Sequence, residues 1–214
     1  MMVLPRWIWS GLRVLLLGCL FATMLGPGTP VFPTEFGAAY RPMPSARLSA
    51  APDPVGDVFR AVSRCRGTLP EAERWEIAQV VNEQSAHYGY DPLFVIAMME
   101  IESTCSPVAR GPRGSVGLIQ LRPETARSIA LEMGLTWRGT QMLTRPGVNV
   151  PLGLRYLWTL ERRFKDPYLA IAAYNLGPAR VERMSRERAR GALYVRKIMA
   201  RYERFLAAVP IRRT

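Results

Sequence analysis

The sequence predicts a mainly α fold, with little or no β structure, for the body of the chain from residue 57 to residue 214. Three observations carry that reading. From Asp57 onward, apolar residues recur at helical spacing. Asp-Pro pairs at 91–92 and 166–167 each join an N-cap residue to a proline suited to the first helical position. Segments that alternate apolar and polar residues in the manner of half-buried strands are missing.

The elements follow in order. Glu71 to Tyr88 sets Trp75, Ala78, Val81 and Ala86 among charged and amide side chains, an amphipathic helix that Gly89 stops. Asp91-Pro92 opens a helix that is apolar on nearly all sides through Ile101, which makes it central and buried. Gly111-Pro112-Arg113-Gly114 reads as loop, with a short irregular turn or β segment near Val116 to Leu121. Pro123 opens a helix to Met133, ended by Gly134. Leu152, Tyr156, Leu157 and Leu160 fall on one face of a helix from Asn149 to Phe164. Asp166-Pro167 leads into an apolar helix through Tyr174, and a last helix runs from about Leu193 through Phe205.

Two segments precede this body. Arg6 and Arg13 stand ahead of an apolar run from Val14 to Ala22, so residues 1–25 read as a secretory signal, with an uncleaved N-terminal membrane anchor as the alternative. Leu16-Leu17-Gly18-Cys19 matches a lipoprotein box only poorly. Residues 26–56 carry Pro27, Pro30, Pro33, Pro42, Pro44, Pro52 and Pro54 without helical or strand periodicity, the composition of an extended linker. The expected location is therefore outside the cytoplasm, in the periplasm or cell envelope. A signal cleaved after Cys19 would leave Cys65 and Cys105. In an oxidising compartment an even pair forms a disulfide or stays as two buried thiols, and the spacing does not choose. One histidine and no paired cysteine motif give no metal site and no cofactor.

The chain has 214 residues, 49% of them hydrophobic, with a net charge of +12. It can form a sizeable core, and it suits an anionic partner: nucleic acid, a membrane surface or an acidic polymer such as a cell wall. Nucleic acid is disfavoured, because basic residues are not interleaved with aromatics and no binding signature appears. Arg180, Arg183, Arg186, Arg188, Arg190, Arg196, Lys197 and Arg201 crowd the C-terminal third; they suit adhesion to an anionic wall, though most read as a solvated face.

Glu102 is the candidate for chemistry. It ends the central apolar helix, where the helix dipole is negative and apolar neighbours would desolvate it. Both effects disfavour the charged carboxylate and suit a general acid, with an exposed helix-end carboxylate as the structural alternative for Glu102 taken alone. Glu100 lies two residues away and faces another direction, and Glu124 is explained by a favourable place at a helix start. Gly114 and Gly117 permit tight backbone turns near a ligand, and Gln120 offers both donor and acceptor to sugar hydroxyls or acetamido groups. Tyr174 and Asn175 end a run of small apolar residues and present a hydroxyl and an amide; a satisfied core Tyr and an Asn helix cap are the structural alternative.

Taken together, Glu102-Ser103, Gly114-Ser115-Val116-Gly117-Leu118-Ile119-Gln120-Leu121 and Ala172-Ala173-Tyr174-Asn175-Leu176-Gly177-Pro178 resemble the soluble lytic transglycosylase family in order and spacing. The match runs from about Tyr88 to Tyr202 and takes in Asn149, Gly153, Tyr156-Leu157 and the stretch from Tyr194 to Ile198. Ile119, Val116 and Cys105 depart mildly from the usual pattern. The resemblance implies a lysozyme-like catalytic domain acting on the glycan strands of peptidoglycan. It implies Glu102 as sole acid and base and Tyr174 as the group that hydrogen-bonds and orients it. Ser103, Gly117, Leu118, Gln120 and Asn175 are implied to contact sugar or position the site. A water-using muramidase and a non-catalytic peptidoglycan-binding scaffold are the rival readings, and the small size suggests service to a secretion apparatus or another envelope machine.

Overall fold

The structure, a computed structural model, describes residues 53–65 and 67–208. The expected signal segment, and the linker as far as residue 52, lie outside the described residues. Among the described residues there are nine α-helices and two short 3-10 turns. They are α1 (Pro54–Val62), α2 (Glu71–Tyr88), α3 (Pro92–Ser103), α4 (Pro123–Glu132), α5 (Pro146–Phe164), α6 (Pro167–Leu176), α7 (Pro178–Glu182), α8 (Arg186–Arg190) and α9 (Leu193–Ala208). Extended pairing is limited to isolated bridges of Val116 with Arg110 and with Leu121, which is the short irregular segment expected there. Among the described residues no helix is long and apolar enough to cross a membrane.

Helix α3 is the hub. Asp91 caps it, its carboxylate accepting from the Leu93 N–H at 2.8 Å, and every residue from Pro92 to Glu100 is buried. It is apolar all round because α1, α2 and α9 all pack on it. α9 runs antiparallel to α3 and is joined to it by polar links along its length. Tyr202 donates to Asp91 at 2.7 Å near the start of α3, and Arg201 pairs with the buried Glu100 at 2.7 Å. Glu100 thus faces away from Glu102, as its place on the helix required, and a cation compensates its burial.

The amphipathic faces differ in detail from the expectation. The buried side of α2 is Ile77, Ala78, Val81 and Ser85; Trp75 is 39% exposed and stacks on Phe59 of α1, with ring centroids 4.1 Å apart. α1 starts at Pro54, inside the segment expected to be linker, because Asp53 caps it through the Gly56 N–H at 2.9 Å. α5 starts at Pro146, ahead of the expected Asn149. The basic C-terminal third is partly an internal structure. Asp166, itself buried, caps α6 through the N–H groups of Tyr168 and Leu169 and also accepts from Arg186 and Arg190 of α8. Those charges hold α8 against α6 and hold the Asp166 carboxyl below its ordinary value despite its burial.

Candidate active site

The last turn of α3 carries Glu102 to the wall of a cleft of about 390 Å³. Ile101, Glu102, Asn175, Leu176, Ala192, Leu193, Tyr194 and Lys197 line it, and Glu102 is its one carboxyl among the described residues. The apolar members of this wall remove water from one side of the carboxyl. Burial pushes Glu102 from an ordinary 4.5 up to about 7, a shift reduced by a hydrogen bond from the Tyr194 hydroxyl to Oε1. Burial, and then the Glu102 charge, hold the Tyr194 hydroxyl well above its ordinary value, so it stays protonated and remains a donor.

Tyr194 is the residue that sequence reasoning passed over. The hydrogen bond expected from Tyr174 is made by Tyr194 instead, while Tyr174 donates to the Ile119 carbonyl at 2.9 Å. Tyr174 is still within electrostatic reach of the acid, since burial and then the Glu102 charge raise its hydroxyl. Its ring meets that of Tyr156 at 5.3 Å, and its hydroxyl lies beside Gly153 of α5. A Cβ on Gly153 would stand 1.8 Å from Ile119 Cδ1 and 3.1 Å from Tyr174 Oη. Gly153 is what lets α5, the loop and α6 meet.

The loop from Gly111 to Leu121 is held by its own polar groups together with Ser103, Ala109, Asn149 and Tyr174 around it. Ser103 Oγ lies 2.7 Å from the Leu118 carbonyl and 3.0 Å from that of Met99, tying the end of α3 to the loop. Gln120 donates to the Gly117 carbonyl at 2.9 Å and to that of Ala109 at 3.2 Å, and accepts from Ser115 Oγ at 2.8 Å. Gly117 has φ +88°, and a Cβ there would lie 2.2 Å from the Leu143 carbonyl oxygen. Leu118 is fully buried. In this structure Ser103, Gly117, Leu118 and Gln120 are therefore engaged within the protein and hold the loop to the end of α3. Of the groups expected to meet sugar, Asn175 alone lines the cleft, and it is exposed there.

Asn149 locks the loop to α5. Fully buried, it accepts from the Ile119 N–H at 2.9 Å and donates to the Val116 carbonyl at 2.9 Å. Substitution Asn149→Ala leaves the Ile119 N–H buried without its partner. It is expected to cost about 2–3 kcal/mol in urea denaturation, the desolvation penalty of a stranded polar group plus the lost bond.

Cys65 and Cys105 are joined by a disulfide, with Cα atoms 6.1 Å apart. The bridge fastens the chain just after α1 to the turn just after Glu102. Thr104 and Cys105 take left-handed φ values of 55° and 63° in that turn, which ends α3. No group of three or more potential metal ligands occurs among the described residues.

An all-helical body with a desolvated carboxyl at the end of its central helix is what the family resemblance implied, a lysozyme-like domain. Residues 79–195 match the family model of the transglycosylase SLT domain, and the chain belongs to that family. It is similar to membrane-bound lytic murein transglycosylase C of Haemophilus influenzae strain PittGG, with 30% identity over 118 residues, covering 49% of this chain and 32% of that protein. It is also similar to endo-type membrane-bound lytic murein transglycosylase A of Klebsiella pneumoniae strain 342, with 33% identity over 121 residues, 51% of this chain and 59% of that protein. The chain thus spans between a third and three-fifths of the length of these curated relatives. Among solved structures, an inactive Glu→Gln mutant of the lytic transglycosylase Slt from Pseudomonas aeruginosa superimposes with a TM-score of 0.53 at 26% identity, over 71% of this chain and 28% of that one. The 70-kDa soluble lytic transglycosylase of Escherichia coli shares the fold, with a TM-score of 0.54 at 18% identity over 72% of this chain and 29% of that one.

Proposed function

We propose that the protein is a peptidoglycan lytic transglycosylase that cleaves the β-1,4 bond between N-acetylmuramic acid and N-acetylglucosamine. The observation that carries this reading is a cleft lined by one carboxyl, Glu102, which burial has raised to about 7. Paired-carboxylate glycosidases need a second acidic group as nucleophile or base. Here the nucleophile belongs to the substrate. Neutral Glu102 protonates the glycosidic oxygen as the C1–O bond breaks. The resulting carboxylate takes the proton of the muramoyl C6 hydroxyl, and O6 closes onto C1 as a 1,6-anhydro ring. One proton is given and one recovered, so the acid is reset without water. Tyr194 holds the carboxyl in place through both halves of the cycle, and Asn175 offers its amide to sugar.

Tyr174 serves as a positioning residue through its bond to the Ile119 carbonyl, with Ser103, Gly117, Leu118 and Gln120 fixing the same loop. The names of the relatives, all lytic murein transglycosylases, support the substrate class. We also infer export to the periplasm or cell envelope, with residues 1–25 as signal or anchor, the segment from 26 to the start of α1 as spacer and the helical body from α1 onward as the catalytic part; the disulfide suits an oxidising compartment.

Mass spectrometry of the fragments released from purified sacculi tests the reading. The expected products end in 1,6-anhydromuramoyl groups. Reducing muramoyl ends would instead assign a hydrolytic muramidase, and binding without release would assign a scaffold.

A further inference from the structure

Among the described residues, Lys197 is the one cation on the wall of the Glu102 cleft. It lies one turn beyond Tyr194 on α9, so both side chains share the face that meets the acid. Other basic residues nearby are engaged: Arg201 with Glu100, and Arg186 and Arg190 with Asp166. Lys197 pairs with no carboxylate among the described residues, Glu102 included, and is exposed. Beside Glu102, Asn175 and Tyr194 the wall also carries apolar surface from Ile101, Leu176, Ala192 and a Leu193 that is 59% exposed. An uncommitted ammonium group flanked by apolar side chains near the acid suits a carboxylate attached to a small apolar segment.

We propose that Lys197 is a specificity residue that receives a carboxylate of the muramoyl side chain. The carboxylate belongs to the stem peptide or, on glycan stripped of peptide, to the lactyl group itself. This rests on the functional reading above. The apolar residues beside it then face the methyl groups of the lactyl and alanyl units, and a neutral glycan leaves Lys197 unused.

Binding to protein carrying Glu102→Gln, which holds substrate without turnover, tests the proposal by calorimetry. Three ligands are compared: a peptide-bearing glycan tetrasaccharide, the same glycan stripped by an amidase, and neutral chitotetraose. Adding Lys197→Met is expected to raise Kd about fivefold for an anionic ligand, the upper range for an exposed ion pair. Chitotetraose should stay within about twofold, Lys197→Arg should restore binding, and the difference should shrink in high salt. Weakening confined to the peptide-bearing ligand assigns the stem; weakening of the stripped ligand assigns the lactyl group. Equal affinities of the two proteins for both anionic ligands overturn the proposal. Failure of the functional reading shows separately, as absence of anhydromuramoyl products from the native protein.

Discussion

Replacing Glu102 by Gln is expected to abolish release of anhydromuropeptides, by at least about 10³-fold, while the protein stays folded. The amide can neither donate the proton to the leaving oxygen nor accept one from the C6 hydroxyl, and each role is worth about 10²–10⁴ in rate. Because the cleft offers no other carboxyl among the described residues, no neighbour can substitute. The same change is expected to stabilise the protein at pH 8. In the native state the Glu102 carboxyl titrates near 7, against an ordinary 4.5 for the unfolded chain. Between those values the native state holds a proton that the unfolded state has released. Native stability therefore falls as pH rises through this window, and above it the wild type carries a buried charge that Gln lacks. The difference is expected to be about 2 kcal/mol at pH 8 and to vanish below pH 4, where both side chains are neutral. Glu161, also raised by burial to about 7, titrates in both proteins and cancels from the comparison. Thermal melts of the two proteins at the two pH values read this directly. Equal melting temperatures at pH 8 would mean that Glu102 is not desolvated. In activity, rate should decline above pH 7 as the acid form is lost.

Opening the disulfide is the second large effect. The bridge closes a 40-residue separation between Cys65 and Cys105. Constraining a loop of that size in the unfolded chain contributes about 3–4 kcal/mol on the chain-entropy account. Paired Cys65→Ala and Cys105→Ala substitutions should lower the unfolding free energy from urea denaturation by that amount, with a steeper slope because the unfolded chain is less compact. They should also slow turnover, because the turn of Thr104 and Cys105 that follows Glu102 loses its covalent anchor. An unchanged midpoint on reduction would show that packing of α1 on α2 and α3 holds the segment alone.

Much of the helical framework was legible because its signals are local. Asp91-Pro92 and Asp166-Pro167 each begin a helix within one residue of the expected place, since a side-chain cap and a fixed φ act on their immediate neighbours. α7 and α8 were not legible: at five residues each they are too short to show a period, and Asp166 holds α8 from elsewhere in the chain. Trp75 looked like core on helical spacing, but it finds its partner, Phe59, on α1 at the surface. The burial of Glu102 at the end of an apolar helix followed from local sequence, although its place alone did not set it apart from a structural carboxylate until the Gly114–Leu121 and Tyr174–Asn175 segments were read with it. Its partner was not legible. Tyr174 stands in the motif, whereas Tyr194 is 92 residues from Glu102 and reaches it only because α9 lies antiparallel on α3. That pairing depends on Tyr202 with Asp91 and Arg201 with Glu100, long-range contacts that no spacing rule announces.

The disulfide also defines a mechanical route. A pull on the chain ahead of Pro54, resisted by a glycan strand held in the cleft, passes through α1 to Cys65 and crosses directly to Cys105. The segment between the two cysteines, with α2 and α3, is bypassed. Tension between the leading segment and a stretched wall would therefore reach the turn beside Glu102 through a covalent link, without first unravelling the chain between the two cysteines.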